Sequence, residues 1–511
     1  MEDDEADGRL AFQQHEWGVG MSSIKPAVHV SLPRRGPAEW KPIPPELSAI
    51  RTTTLRQNLI LLCILVGCVA VCCTNRLESV ANIVNDAILA FYGLILVHRA
   101  GVLSAGLIQP RHARIPLLPS NSPLAVEVEL PTISVMVPLY KEAAVIDQLR
   151  VGLKRMEYPA HKVEVLLLLE EDDADTRAAC EEADLPSYFR VVVVPPGKPR
   201  TKPRACNYGL SFCQGEIIVI FDAEDKPDPD QFMKAAQALL SCGSEVACVQ
   251  ARLAFYNPRQ NVLTRLFAAE YMSWFGIMLP GLHSIGAPIP LGGTSNYFRA
   301  DTLREVGGWD SWNVAEDCDL GMRLYRSGYR VQMLDSTTWE EACPDLRFWI
   351  RQRSRWVKGY LQTWLVHTRR PILLLTEMGA WGSANMHMVV GGTVACLLLN
   401  PVYWALTILW WVHPTVLEEN VMSGPVLILG NLSLILGNSM FIAFHCAGAA
   451  RRKQWDLIGI ALLVPFYWIL MSVAAWKAFY QILFAPHHWE KTRHGLAGPQ
   501  TDISPTEPPA P

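Results

Sequence analysis

Long apolar runs lie near both ends of the chain, and shorter ones lie between them. The long runs cover residues 58–73, 80–103, 386–412, 425–447 and 457–484. The first is short for the ~20 residues that a membrane-crossing helix needs, whereas the others are long enough. The pattern predicts two transmembrane helices within residues 57–104 and a second membrane region within residues 386–485.

The middle of the chain, residues 130–365, has a different pattern. Short runs rich in Val, Ile and Leu read as strands, and they start near Ile133, Val163, Phe189, Ile217 and Cys248. Helical stretches separate them, near residues 143–156, 175–183, 204–213 and 231–240. Continuous apolar strands that alternate with helices are typical of a mostly parallel sheet covered on both faces. The sequence therefore predicts an α/β domain.

Composition and charge narrow the class of protein. Half of the residues are hydrophobic and only 18% are charged, which favours a membrane protein with a soluble part. The net charge of −4 argues against a nucleic-acid partner. Residues 1–50 and 496–511 are rich in proline or acidic residues, which predicts a disordered arm and a disordered tail.

Charge placement and cysteine usage predict a compartment. Arg51 and Arg56 precede the first apolar run, and three basic residues, 451–453, precede the last. Positive charge favours the cytoplasmic side of a membrane. None of the 13 cysteines forms a CxxC pair, and most of those outside the first apolar run lie in the middle region, which fits a reducing cytoplasm.

Three acids follow the strand that begins at Ile217, namely Asp222, Glu224 and Asp225. Open α/β sheets bind ligands at the carboxyl ends of their strands. Carboxylates at positions i and i+2 can hold a divalent cation against a diphosphate. The alternative is a solvated turn before a helix that prolines open.

Two later clusters favour a functional interpretation. Glu316 and Asp317 precede a helix-like run, although acids there also complement a helix dipole. Gln352, Arg355 and Trp356 lie in a segment crowded with basic residues. An interfacial helix with snorkelling arginines is the alternative for this second cluster.

The order of these motifs, between membrane helices, resembles that of the processive family 2 glycosyltransferases. These are the membrane-embedded cellulose, chitin, hyaluronan and mannan synthases, and the resemblance covers roughly residues 55–495. It implies a nucleotide-diphosphosugar transferase fold of the GT-A type over residues 130–365. Residues 366–385 would then form interfacial helices.

The resemblance implies a role for each cluster. Asp317 would be the general base, next to Glu316, and Asp222 would bind Mg²⁺ or Mn²⁺ with Glu224 or Asp225. Glu224 stands where the family usually has aspartate, so the second metal ligand stays open, and Ala315 stands where it has threonine. The acceptor and the diphosphate would be held by Gln352, Arg355 and Trp356.

Further residues are implied for the donor and acceptor sites. The donor site would include Pro138, Tyr140, Glu142, Asp172, Lys202 and Asp222. The acceptor loop would include Gly292, Gly293, Thr294 and Asn296. A turn with a surface lysine is the alternative for these positions.

The last apolar run predicts an unusual path. Residues 457–484 exceed one crossing and contain Pro465, where a helix can bend or break. We expect a broken or re-entrant hairpin that returns the tail to the cytoplasm. There, residues 486–495, with Trp489, Lys491 and Thr492, resemble the gating loop of related synthases. A basic interfacial tail is the alternative.

The resemblance implies an inverting β-glycosyltransferase of the inner, or plasma, membrane. It would transfer glucose from UDP-glucose to a growing polysaccharide and export the product, with the lipid bilayer and envelope export proteins as partners. One alternative is GDP-mannose as the donor in mannan or glucomannan synthesis. Others are non-processive transfer to a lipid, and a scaffold or transporter with an inactive transferase domain.

Overall fold

The computed structural model describes residues 41–72, 77–108, 129–413 and 424–490. Its centre, within those residues, is a sheet of eight strands. The strands are β1 (Ile133–Leu139), β2 (Val163–Glu170), β3 (Phe189–Val194), β4 (Ile217–Ile220), β5 (Lys226–Pro227), β6 (Val246–Phe255), β7 (Asn296–Arg299) and β8 (Arg330–Glu340). Their order across the sheet is β3-β2-β1-β4-β7-β6-β8-β5.

The two halves of the sheet differ. Strands β1 to β4 pair in parallel, and Val135, Leu167 and Ile218 in them are almost fully buried. In the other half β7 pairs antiparallel with β4 and β6, and β5 with β8, while β6 and β8 are parallel. A mostly parallel sheet is thus correct for the first half only, and the whole sheet is mixed. The α/β domain between apolar helices is confirmed.

Fifteen α-helices within the described ranges accompany the sheet. Those of the amino-terminal side and the domain are α1 (Leu55–Cys72), α2 (Leu77–Ile108), α3 (Ile146–Lys154), α4 (Ala174–Glu182), α5 (Lys202–Leu210), α6 (Gln231–Ser241), α7 (Val262–Ser273), α8 (Leu279–Ser284), α9 (Ala300–Glu305), α10 (Glu316–Arg326) and α11 (Leu346–His367). Those that follow are α12 (Pro371–Met386), α13 (Gly392–Val412), α14 (Gly424–Arg451) and α15 (Val464–Phe484).

Four segments of the described chain are long and apolar enough to cross a membrane. They are Asn82–Ile108, Pro371–Val412, Ile428–Arg451 and Trp455–Phe484. The first apolar run has only a shorter apolar helix, Leu55–Gly67. These lengths fit a membrane protein, as the apolar pattern predicted.

Part of the predicted disordered arm is ordered. The Ser48 hydroxyl and the Ala49 backbone N–H donate to the Asp310 carboxylate, at 2.9 and 2.5 Å. The Arg369 guanidinium donates to the carbonyls of four residues, Pro45, Glu46, Ser48 and Arg51. The prediction of disorder is therefore wrong for residues 41–50, because these contacts fix the segment. Residues 1–40 and 496–511 lie outside the described ranges.

The last helix is not broken at Pro465. Pro465 lies in the first turn of α15, where its missing N–H leaves no bond unmade, and α15 runs uninterrupted to Phe484. The irregular part precedes it, as two 3₁₀ turns between Trp455 and Leu463.

Both ends of this segment nevertheless contact the transferase-like domain. Arg259 forms an ion pair with Asp456 at 2.7 Å before α15, and Lys358 donates to the His488 carbonyl at 2.7 Å after it. Between these points α15 lies along α11, with the Trp349 and Tyr467 rings 5.1 Å apart. The residues after α15 are therefore held at the domain.

Candidate active site

A cavity of about 470 Å³ opens where β1 and β4 end at the sheet edge. The amino-terminal end of α10, one side of α11, and α13 and α15 complete its wall. We call it the central cavity. Its lining includes Lys202, Asp222, Asp317, Arg355 and Trp489, which come from five separate parts of the chain.

Most of the sequence-predicted site residues meet at this cavity. The predicted residues that line it are Pro138, Tyr140, Glu142, Lys202, Asp222, Glu224, Gly292, Gly293, Glu316, Asp317, Gln352, Arg355, Trp356 and Trp489. Four others, Asp172, Asp225, Thr294 and Asn296, do not line it. Lys491 and Thr492 lie outside the described residues, so their predicted role stays a prediction.

Lys202 connects two parts of the wall. Its ammonium forms an ion pair with Asp222 and donates to the Gly293 carbonyl at 2.9 Å. Burial lowers the pKa of Lys202, but the Asp222 and Glu316 carboxylates outweigh it, and the net pKa is raised. Lys202 therefore stays charged and places a fixed cation beside the first acid after β4.

Asp225 is a positioning residue and does not face the cavity. Its carboxylate accepts from the Asp222 backbone N–H at 2.8 Å and from the Thr294 hydroxyl. Thr294 also donates to the Ile220 carbonyl at 3.1 Å and is almost fully buried. Burial, with the charges of Asp222 and Glu224, raises the pKa of Asp225. Neither Asp225 nor Thr294 lines the central cavity, and the predicted metal role of Asp225 and acceptor role of Thr294 stay predictions.

Two acids remain as candidate metal ligands. Asp222 and Glu224 both line the cavity, and within the described ranges no three His, Cys, Asp or Glu side chains form a metal-binding group. Mg²⁺ is commonly bound by one or two carboxylates together with substrate phosphates and water. Two hard oxygen ligands beside a cavity fit that pattern, so these residues suit such an ion.

Glu316 and Asp317 start α10 inside the cavity. The Cys318 backbone N–H donates to the Asp317 carboxylate at 2.7 Å, which fixes its direction. Burial raises the pKa of Asp317. Burial and the charge of Asp317 raise the pKa of Glu316 to about 7, although Lys202 opposes this. The pair thus includes a carboxyl that can exchange protons near neutral pH.

Glycines keep the space beside this pair open. A Cβ atom added at Gly293 would lie 3.4 Å from the Asp317 Oδ2, so a side chain there would contact the carboxylate. A Cβ at Gly359 would lie 2.2 Å from the Ala315 Cβ, which is far inside van der Waals contact. Helix α11 can therefore approach the start of α10 only because residue 359 lacks a side chain.

Helix α11 brings two unsatisfied polar groups to the cavity. The Gln352 Oε1 and the Arg355 Nε are buried and have no hydrogen-bond partner. Buried polar atoms are nearly always paired, so such orphans mark a place for a ligand or water. The Arg355 guanidinium also lies 4.6 Å from the centre of the Trp489 ring.

Trp356 is held by contacts with Arg353 and Phe267. The Arg353 guanidinium lies 4.7 Å from the Trp356 ring, and Arg353 itself forms an ion pair with Glu270. The Phe267 ring is 6.1 Å from Trp356 in an edge-on arrangement. These contacts fix a flat apolar face in the cavity wall, the kind of surface on which sugar rings stack.

Asp172 and Asn296 do not line the cavity but contact residues that do. Asp172 forms an ion pair at 2.8 Å with Arg200, which does line the cavity and lies 5.5 Å from the Tyr140 ring. The Asn296 amide donates to the Gly292 carbonyl at 2.6 Å. The predicted direct contacts of Asp172 and Asn296 stay predictions, while the contacts present are an ion pair of Asp172 with Arg200 and a hydrogen bond from Asn296 to the glycine loop.

Several lining residues were missed by the sequence analysis. They are Glu170, Arg200, Glu270, Tyr271, Glu340 and Glu341. Burial and the three acids after β4 raise the pKa of Glu340. Glu340 ends β8, and β8 mixes polar and apolar residues without strict alternation. In the sequence, the adjacent acids Glu340 and Glu341, just before the basic segment that holds Gln352, Arg355 and Trp356, could have indicated further site residues.

Comparison with known proteins shows what part of the chain is similar to. Residues 217–417 match the family model described as glycosyl transferase family group 2. A β-monoglucosyldiacylglycerol synthase of Nostoc sp. is 28% identical over 308 residues, which is 59% of this chain and 61% of that protein. Glucomannan 4-β-mannosyltransferase 7 of Arabidopsis thaliana is 27% identical over 237 residues, 45% of this chain and 42% of that protein.

The chain spans about three fifths or less of the length of these curated relatives. Among solved structures, a mannosyltransferase from Pyrobaculum calidifontis in complex with GDP-Man and Mn²⁺ aligns over 80% of this chain and 99% of its own. Its sequence identity is 20% and its TM-score is 0.48.

Proposed function

We propose, from the premise that the chain contains a family 2 glycosyltransferase domain, that this protein is an inverting β-hexosyltransferase that uses a nucleotide sugar. The observation that carries the proposal is the convergence of Lys202, Asp222, Asp317, Gln352 and Arg355 on the central cavity. Cationic and acidic groups line the same cavity, which suits a reaction in which one oxygen loses a proton and another gains negative charge.

The cationic residues Lys202 and Arg355 would hold the leaving group. When the bond between the anomeric carbon and the diphosphate breaks, negative charge collects on the phosphate oxygens. Lys202 and Arg355 offer fixed positive charge there, and Arg355 keeps an unpaired Nε that can donate. Asp222 and Glu224 would hold Mg²⁺ or Mn²⁺, which neutralises diphosphate charge when bound.

The acidic side would activate the acceptor. Asp317 would take the proton of the acceptor hydroxyl as its oxygen bonds to the anomeric carbon from the face opposite the diphosphate. The raised pKa of Asp317 makes its carboxylate a better base than a solvated one. Trp356 would hold the acceptor end in line, and Gln352 would contact donor or acceptor oxygens.

The donor remains a prediction. UDP-glucose is the first choice and GDP-mannose the second. The printed names of the relatives include a glucolipid synthase and a glucomannan mannosyltransferase, so glucose and mannose both have support. Tyr140, Glu142 and Arg200 line the side of the cavity where the base and ribose would lie.

The acceptor has two candidate classes. The Gln352–Trp356 motif favours processive synthesis of a polysaccharide, exported through the helices with the help of envelope proteins. The similarity to a monoglucosyldiacylglycerol synthase favours transfer to a lipid. Either acceptor suits a catalytic domain on the cytoplasmic side of the inner membrane. An inactive scaffold would not explain why the Arg355 Nε and the Gln352 Oε1 are buried without a hydrogen-bond partner.

The test uses full-length protein in membranes. Membranes would be incubated with labelled UDP-glucose or GDP-mannose and Mg²⁺ or Mn²⁺, and products would be analysed for linkage and anomeric form. Asp317→Asn should lower transfer roughly 10²–10⁴-fold. Asp147→Asn, on an exposed carboxylate of α3, is the matched control. Transfer that survives Asp317→Asn, or no turnover of any nucleotide sugar, contradicts the proposal.

A further inference from the structure

A second cavity, of about 240 Å³, lies between the apolar helices. Its wall comes from α2, α13, α14, α15 and the end of α7, and we call it the interhelical cavity. It shares five lining residues with the central cavity, Glu270, Trp274, Thr393, Leu397 and Met471. The two cavities are therefore adjacent and have part of their walls in common.

The interhelical cavity is mainly apolar. Its walls include Leu89, Ile95, Leu96, Leu103, Phe441 and Phe444. Two pairs of polar side chains in its wall are already hydrogen-bonded. Tyr92 donates to Asn400 at 2.7 Å, and Tyr403 donates to Asn85 at 3.0 Å. Such a surface suits hydrocarbon and would leave the many hydroxyl groups of a glycan without partners.

Glu270 in this wall is already paired with Arg353. Arg99 is the other charged side chain of the wall. It lies on α2, is only 9% exposed, and donates to the Thr393 hydroxyl at the border of the two cavities. Its Nε has no hydrogen-bond partner, and no Asp or Glu in the described part of the chain forms an ion pair with it. The Trp468 Nε1, which lines the same cavity, is also a buried donor without a partner.

A buried cation without a counter-charge is costly, and ionisable groups among membrane helices usually mark a ligand site. The missing partner must supply negative charge and acceptor oxygens. A neutral acyl chain or a neutral glycan supplies no charge. A phosphate attached to a hydrocarbon tail supplies both and also fills the apolar wall.

We propose that the interhelical cavity binds the acceptor, a membrane lipid that carries a phosphate next to the hydroxyl that is glycosylated. The phosphate lies against Arg99, the hydrocarbon lies among the apolar side chains, and the hydroxyl reaches Asp317. This rests on the proposed hexosyltransferase function and names its acceptor class. The lipid hydroxyl oxygen bonds to the anomeric carbon, its proton passes to Asp317, and the nucleoside diphosphate leaves with the electrons of the broken bond.

The test compares membranes of defined composition. Full-length protein in nanodiscs of phosphatidylcholine alone, or with phosphatidylglycerol, or with a glycosylated polyprenyl phosphate, would receive labelled nucleotide sugar and metal. The label should enter the lipid extract only in a disc that contains a lipid with both phosphate and hydroxyl. The two supplemented discs distinguish a phospholipid source from a polyprenyl source.

Variants of Arg99 test the contact itself. Arg99→Gln should lower transfer to lipid roughly 10–100-fold, as expected for a hydrogen bond to a charged group, and should lower transfer more than nucleotide-sugar hydrolysis. Arg99→Lys should retain more transfer than Arg99→Gln, and Arg347→Gln, on an exposed side chain of α11, should retain all of it. Native mass spectrometry of the wild type should show retention of the phosphate-bearing lipid, whether or not Arg99→Gln folds.

The possible results separate two failures. Four results would overturn the lipid proposal alone. They are donor hydrolysis with label only in a polymer, transfer in phosphatidylcholine discs equal to that in the supplemented discs, no lipid retained by the wild type, and full transfer by Arg99→Gln. No turnover of any donor under all lipid conditions would overturn the hexosyltransferase function and the lipid proposal with it.

Discussion

The Arg355 guanidinium lies 4.6 Å from the centre of the Trp489 ring, which places a residue of the carboxyl-terminal segment over the centre of the candidate site. The segment is pinned there from two helices. Lys477 and Gln481 of α15 contact the Glu490 carboxylate at 2.7 and 2.8 Å, and Gln362 of α11 donates to the Pro486 carbonyl at 3.1 Å. Trp489 is thus a fixed part of the wall.

Trp489→Ala should weaken donor binding. A cation–π contact stabilises by about 0.5–2 kcal/mol, so its loss and the wider opening should raise the KM for the nucleotide sugar roughly 2–30-fold. Steady-state kinetics with varied donor would measure it. Trp411→Ala, on a ring that is 72% exposed, is the control. An unchanged KM would show that Trp489 does not cover the donor.

Removal of divalent metal should abolish transfer, and Mg²⁺ or Mn²⁺ should restore it. Glu224→Gln should raise the metal concentration needed for half-maximal rate, because a carboxylate ligand is lost. Asp225→Asn should instead lower the melting temperature, since Asp225 holds the Asp222 backbone and Thr294. Metal titrations and thermal melts would separate the two effects. Full activity in excess chelator would contradict the metal role.

As the pH is lowered, kcat/KM should fall at a pH above the usual pKa range of aspartate. Burial raises the pKa of Asp317, and burial with the charge of Asp317 raises that of Glu316 to about 7. A base with a raised pKa is lost by protonation as the pH falls, so kcat/KM should decline at a pH above the ~3.9 of an unperturbed aspartate. Glu316→Gln removes the neighbouring negative charge and should move this decline to lower pH. An unmoved decline would show that the pair does not couple.

Trp356→Ala should impair transfer to acceptor more than hydrolysis of donor. The loss removes the apolar face that Arg353 and Phe267 hold in the wall, and stacking of this kind is worth about 0.5–1.5 kcal/mol beyond burial. Parallel assays of nucleotide release and of product would measure the ratio. Equal losses in both assays would make Trp356 a structural residue.

The sequence predicted the parts of the fold that carry strong local patterns. Strands β1 to β4 are short apolar runs with few polar interruptions, and they were found within a few residues of their true bounds. Strand β8 was missed because its burial does not follow a regular alternation. Strand β5 has only two residues and exists through its pairing with β8, so no local pattern could show it.

Site residues that belong to a sequence motif were predicted. Those that reach the cavity only through tertiary packing were missed. Asp222, Asp317 and Arg355 stand in motifs and do converge. Asp225, after β4, and Thr294, before β7, stand next to motif residues, but they hydrogen-bond to each other and do not line the cavity, and a sequence does not show that pairing. Arg200 and Glu340 stand in no motif and reach the cavity through tertiary packing alone.

The Arg369 contacts with the segment before α1 set a schedule for synthesis. The guanidinium meets carbonyls that precede it by 318 to 324 positions. At a translation rate of 5–20 residues per second, that segment waits roughly 15 to 65 s for its partner to leave the ribosome. The segment before α1 must therefore stay without these contacts during synthesis, and they can form only once the chain up to Arg369 has emerged.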